Sequence, residues 1–290
     1  MKKILIATTA LALTAGVASA EIALSGSARM GVIYDGTDAA FSSRVRVSAA
    51  LSGTTDGGLA FGASMRFDQD GGNGNDAGST KSGTNNGDST VFLSGDFGKI
   101  TMGDVGGAAD ALVGQTDGVG YGPNDGLHEI GFIGTTKTAF YYEKSTANGL
   151  TFGLGAGQVG SDELNVAVKY ATDKFTIAVG YEDDSTAVVG HNRTSVSAST
   201  TFGAATVKAK YMTDSLSSVD DAFSVSVSGA FSGVGVTAFY TDFGTSQNIG
   251  LGGSYDLGGG AAIKGAVVNV GGATGVSDTT VADLGVTFSF

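Results

Sequence analysis

The sequence predicts an all-β protein: a transmembrane, antiparallel β-barrel of about 16 strands. Three observations predict it. First, the chain ends in a strand with two unlike faces. Ala282, Leu284, Val286, Phe288 and Phe290 share one face, and Asp283, Gly285, Thr287 and Ser289 share the other. Such a strand, finished by a terminal Phe, suits a wall with lipid outside and water inside. Second, the chain opens with an export leader. Third, 290 residues hold 49 Gly, 1 Pro and 0 Cys. A near absence of Pro suits an unbroken hydrogen-bond ladder, and the many Val, Ile, Phe and Tyr residues argue against Gly-rich disorder. No apolar stretch beyond the leader approaches the roughly 20 residues of a membrane helix. A chain of this kind that crosses a membrane has to close its sheet, because lipid offers the backbone no other partner.

The elements follow in order. Met1-Lys2-Lys3 is a basic start, Ile4 to Ala15 an apolar run, and Ala18-Ser19-Ala20 a small-x-small cleavage site, so residues 1–20 read as a cleaved signal peptide. Residues 21–290 read as a single outer-membrane barrel domain. Ile22, Leu24, Ala28, Met30, Val32 and Tyr34 alternate with Ser25, Ser27 and Arg29. Val45, Val47, Ala49 and Leu51 oppose Arg44, Arg46 and Ser48; Leu59, Phe61, Ala63, Met65 and Phe67 oppose Ser64, Arg66 and Asp68. The same period of two recurs in Phe175 to Tyr181, in Val207 to Tyr211 against Lys208 and Lys210, and in Phe223 to Val227 against serines. No comparable helical period is present. Strands are expected near 21–34, 42–53, 59–68, 90–95, 99–104, 137–144, 150–158, 163–171, 175–182, 194–201, 205–213, 222–231, 234–242, 248–256, 261–269 and 280–290. An even number returns both ends to the periplasm.

Short connections such as Gly95-Asp96-Phe97-Gly98 alternate with long ones such as Gln69 to Ser89 and Val105 to Thr136, the rhythm of periplasmic turns and external loops. Tyr34, Phe67, Tyr181, Tyr211 and Tyr240 end the outward-running strands, and Phe97, Phe175, Phe202, Phe231 and Phe290 mark the short connections. These predict two aromatic girdles, the inner one all Phe.

Composition excludes several functions. Basic residues number 16 against 28 acidic, a net charge of −12. Loss of Lys2 and Lys3 takes it to −14, the wrong sign for nucleic acid. Without Cys there is no disulfide or thiolate metal site, and His numbers 2. His128 and Glu129 form a lone acid–base pair with no nucleophile in register, so no enzyme is expected. Gly155-Ala156-Gly157-Gln158-Val159-Gly160 fits a dinucleotide string but opens no helix.

Several segments resemble the alphaproteobacterial general porins of the photosynthetic-bacterium type. They are Phe41-Ser42-Ser43-Arg44-Val45-Arg46-Val47, Val91 through Asp104, Ser254-Tyr255-Asp256-Leu257-Gly258-Gly259-Gly260-Ala261, and Val281-Ala282-Asp283-Leu284-Gly285-Val286. The resemblance spans essentially the whole mature chain. It implies a homotrimer with 16 strands per chain and a third external loop folded into the lumen. It also implies residence among outer-membrane lipid and lipopolysaccharide, with Phe290 as the mark read by the barrel assembly machinery. The segment after Val105 and the region Glu182 to Arg193 are short for that family.

Arg29, Arg44, Arg46 and Arg66 all lie on polar faces of the first three strands. Neighbouring strands lie about 4.8 Å apart, so the guanidiniums form one basic patch. A charge on the lipid face costs about 2–4 kcal/mol at mid-depth, which assigns them to the lumen. The segment from Asp104 to Thr136 carries Asp104, Asp110, Asp117, Asp125 and Glu129, with the single Pro, Pro123. A loop of this length in a compact fold is usually functional. Folded inward, it is expected to set its carboxylates opposite the arginines. The expected function is a water-filled channel for passive diffusion of ions and small hydrophilic solutes. The alternatives are a substrate-specific outer-membrane channel, a plugged structural or adhesive barrel, and a soluble secreted sandwich. No cofactor is required; weak Ca²⁺ binding at the loop carboxylates stands as an alternative to plain solvation. Small outward residues, Gly26, Ala28, Ala49 and Ala63, let neighbouring walls approach in the trimer.

Overall fold

The period-two segments form a closed sheet. The computed structural model describes residues 21–70, 89–122, 124–135, 138–184, 190–272 and 275–290. The leader, most of the segment between the third and fourth strands, and Pro123 and Thr136 lie outside them. Sixteen strands follow one another: β1 Glu21–Tyr34, β2 Ala39–Thr54, β3 Ala60–Asp70, β4 Thr90–Gly95, β5 Gly98–Gly103, β6 Ala139–Ser145, β7 Leu150–Ala156 and β8 Glu163–Ala171. Then come β9 Phe175–Asp184, β10 Asn192–Phe202, β11 Ala205–Asp214, β12 Ala222–Phe231, β13 Val234–Asp242, β14 Gln247–Gly258, β15 Ala261–Val270 and β16 Thr279–Ser289. Each is hydrogen-bonded to the next, and β1 pairs antiparallel with β16 to close the barrel. No helix among the described residues is long and apolar enough to cross a membrane.

The alternation sorts residues between the two sides of the wall. In β2, Phe41, Val45 and Val47 are exposed on the outside, while Arg44, Arg46 and Ser48 turn inward. The outer face therefore has no protein core beneath it; the buried clusters lie inside the barrel, where the segment between β5 and β6 folds back. That segment carries one short helix, α1 Ala108–Val113, and a 3-10 turn at Asp125–His128. The sequence reading expected no helix here, and one helix of six residues has too few turns to show a period.

Glycine on the inner wall makes room for this segment. A Cβ on Gly180 would stand 2.7 Å from the Ala109 Cβ, and one on Gly252 2.8 Å from the Val119 Cβ. Both distances are shorter than carbon atoms tolerate, so any larger residue pushes the loop off the wall.

Two expectations need correction. Connections do not alternate strictly, because the external links between β1 and β2 and between β13 and β14 are as short as the periplasmic turns. The girdles are present, and the outer tyrosines are anchored: Tyr181, Tyr211 and Tyr240 donate to Asp183, Asp221 and Asp242. The inner girdle is not all Phe, since Tyr142, Tyr170 and Tyr255 also stand near the periplasmic ends, where a hydroxyl finds polar partners such as the Phe97 carbonyl.

Candidate functional site

Strand register brings the four arginines together. Arg29 of β1 stands directly opposite Arg44 of β2. Arg46 stands opposite Asp68 of β3, and Arg66 opposite Ser48. Arg29, Arg46, Arg66 and Asp68 all lie within electrostatic range of Arg44. Like charges placed directly opposite oppose sheet pairing. A water-filled face and the high intrinsic pKa of guanidinium let them stay charged.

The patch is not purely basic. Arg46 grips Asp68 through two hydrogen bonds of 2.7 Å, and Arg66 Nε lies 3.1 Å from the same carboxylate. Alternation puts Asp68 on the polar face, but its pairing with Arg46 needs the β2–β3 register, which sequence alone leaves open. Among the described side chains, Arg29 and Arg44 have no ion-pair partner.

The segment from Asp104 follows the inner wall. Helix α1 lies against β7, β8, β9 and β10, and buries Ala108, Ala109, Leu112 and Val113. Asn165 of β8 accepts the Ala108 N–H. Thr116 then shares a hydrogen bond with Ser224 of β12 (2.7 Å), and Ser226 accepts the Asp117 N–H (2.8 Å). The tip crosses to the closure seam: Asp283 of β16 accepts the Tyr121 N–H (3.2 Å), and the Arg29 guanidinium lies 5.9 Å from the Tyr121 ring centre. The returning limb runs along β14 and β13, where Leu127 and His128 carbonyls accept from Asn248 and Thr241. It ends beside β11 and β9, on Lys210 and Glu182.

This path decides where the expected carboxylates stand. Asp110, Asp125 and Glu129 are exposed. Asp104 sits at the root of the loop, its N–H held by Ser89. Asp117 does not face the arginines: its two oxygens take Lys208 Nζ at 2.6 Å and Ser228 Oγ at 2.8 Å. Lys208 and Lys210 were visible in the sequence as an alternating basic pair, but nothing fixed their partners 91 and 80 residues away.

Burial alone would raise the Asp117 carboxyl, yet Lys208 and Ser228 outweigh it and hold the group below its ordinary 3.8. A depressed carboxylate contributes stability that is complete above the unfolded value and is lost as pH falls through the folded one. The Asp117 anchor is therefore expected to hold unchanged from neutral pH down to about 4 and to release only in stronger acid. Open-channel current recorded against pH checks this. An Asp117-dependent transition between pH 5 and 7, absent in Asp117→Asn, would contradict it.

Among the described residues, no group of three or more His, Cys, Asp or Glu gathers closely enough to hold a metal ion. His128 is buried, with its Nδ1 against the Asp125 carbonyl and its ring edge-on to Phe239 at 5.8 Å, a packing role.

Comparison with known proteins agrees with the fold. Residues 7–270 match the model of the Gram-negative porin family. The chain is 36% identical to the porin of Rhodobacter capsulatus, across 93% of this chain and 100% of that protein. It is 25% identical to the porin of Fuscovulum blasticum over the same shares. A porin structure refined at 1.8 Å superposes with a TM-score of 0.72 at 33% identity, covering 93% of this chain and 100% of that one. An engineered Rh. blastica porin superposes with a TM-score of 0.76 at 24% identity and the same coverage, a likeness of fold.

Proposed function

We propose, because this chain belongs to the Gram-negative porin family and forms a channel through the bacterial outer membrane, that its selectivity is set where the wall arginines meet the pore loop. The observation that carries this is the division of the lumen. Arg29, Arg44, Arg46 and Arg66 share one stretch of wall, β1 to β3. The loop's helix and returning limb lie on other strands and leave Asp110, Asp125 and Glu129 exposed, while its tip meets the patch at Arg29 through Tyr121.

Opposed charge rows across a narrow channel with low-dielectric walls make a transverse field. Water in that field is oriented. An ion or dipolar solute replaces oriented water at little cost, whereas an apolar solute gains nothing and is held back. Among the described residues no group of carboxylates encloses a cation, so cation passage stays diffusive. The acidic surplus of the mature chain gives a mild cation preference.

The same chain is proposed to assemble as a homotrimer in outer-membrane lipid and lipopolysaccharide, inserted by the assembly machinery through its C-terminal Phe290. Outward Gly26, Ala28, Ala49 and Ala63 support close contact of walls. Residues 1–20 are proposed to be removed on export. One recording tests the reading: purified protein in a planar membrane under a KCl gradient. The expected result is insertion in groups of three equal current levels with a weakly cation-selective reversal potential. Single levels, or a strong anion preference, overturn it.

A further inference from the structure

We propose that the lumen holds a binding site for a small oxyanion, between the outgoing limb of the pore loop and the wall of β13 to β15. A cavity of about 100 Å³ opens there, with Gly118, Val119 and Gly120 on its loop side and Thr237, Ser254 and Lys264 on its wall side. A water occupies about 30 Å³ of liquid, so the space takes about three waters or one oxyanion of four or five heavy atoms.

The lining is chemically one-sided. Lys264 is its only charged residue, in a chain whose acids far outnumber its bases. Register fixes the donors in two adjoining rows. Ser254 stands directly opposite Lys264 on one side and Gly235 on the other, and Thr237 stands opposite Gly252. Among the described residues, the Lys264 ammonium and the Ser254 and Thr237 hydroxyls meet no hydrogen-bond or ion-pair partner. Of the neighbouring acids, Asp117 spends both oxygens on Lys208 and Ser228, and Asp283 accepts the Tyr121 N–H through Oδ1 while its Oδ2 lies beside Gly120.

The loop adds a backbone donor. The Gly120 nitrogen lies 3.3 Å from where a Cβ on Gly252 would stand, so glycine on the wall leaves that amide uncovered. An ammonium, two hydroxyls and a backbone amide around a space of this size are the donors by which proteins hold phosphate or carboxylate groups. The glycines at 235 and 252 keep the space open; a Cβ on Gly235 would come within 2.4 Å of the Ser254 Oγ.

The site rests on a solvent-filled lumen, and its test does not depend on conduction. Inorganic phosphate is titrated into detergent-purified protein at constant ionic strength, with calorimetry and ³¹P line broadening as readouts. One saturable site per chain with a millimolar dissociation constant is expected. Lys264→Gln is expected to weaken it at least ten-fold and Ser254→Ala several-fold. Lys174→Gln, in a periplasmic turn, is expected to leave it unchanged. Absence of saturable binding, or equal affinity in Lys264→Gln, overturns the proposal. Unchanged heat-modifiable mobility on gels certifies that each variant is folded. If phosphate binds as described while the protein fails to conduct, the channel reading fails and the site stands.

Discussion

Replacing Arg44 and Arg46 together by glutamine is expected to raise the cation-to-anion permeability ratio about thirty-fold. An ion passing roughly 8 Å from a wall charge feels about 0.5 kcal/mol in a water-like dielectric and about 2 kcal/mol at an effective value of 20. Two removed charges at the lower figure favour a cation by about 1 kcal/mol and disfavour an anion by as much, so the ratio moves by about 2 kcal/mol, a factor of about thirty. The two arginines act differently. Arg44 has no ion-pair partner among the described side chains, while Arg46 is already gripped by Asp68. Its removal unmasks that carboxylate, leaving it to Arg66 at 3.1 Å. Asp68→Asn is therefore expected to shift selectivity the opposite way, toward anions, by freeing two guanidiniums. Reversal potentials in a salt gradient read both variants. An unchanged or anion-shifted value for the double variant would falsify the assignment of these residues to the permeation path.

The second large effect is expected from Lys210→Met. Lys210 is 1% exposed, and its ammonium donates to Ile130 O (2.6 Å) and Gln115 Oε1 (3.1 Å) and lies 3.6 Å from the Phe132 ring centre. Gln115 belongs to the outgoing limb of the loop, Ile130 and Phe132 to the returning one. Gln115 also bonds the Ile130 backbone twice, at 2.9 and 3.2 Å. One lysine thus fastens both limbs to β11. Methionine keeps the aliphatic stem and deletes the charge. No acceptor is orphaned, because Gln115 and Ile130 still satisfy each other. The loss is the charge-assisted part, about 1.5–3 kcal/mol. It falls on the loop alone, since the barrel is held by its own ladder. The expected result is increased open-channel noise and closure at lower applied voltage, with little change in the temperature at which the barrel unfolds. Noise indistinguishable from the parent protein would show that the loop does not depend on this lysine.

Much of the barrel was legible because a lipid-facing and water-facing wall imposes a strict period of two. The ends of β1, β4, β8, β12 and β13 coincide with the sequence expectation, and the arginine patch follows from side-chain parity alone. What parity cannot supply is which distant groups meet. Asp117 was expected to face the arginines, but it lies on the opposite wall because Lys208, Ser226 and Ser228 converge there. Asp68 and Asp283 sat on faces correctly read as polar, yet their roles need register and the path of the loop. Glycines on inward positions, such as Gly180 and Gly285, trace where the loop docks.

The wall is not of even height. β4 and β5 are six residues each, whereas β1 and β2 are 14 and 16. Six residues reach about 20 Å, and a tilt of about 40° leaves about 15 Å along the membrane normal, short of the roughly 25 Å apolar band of such barrels. Hydrocarbon tails cannot follow that drop without shortening. The bilayer must pinch beside β4 and β5 wherever lipid stands against them.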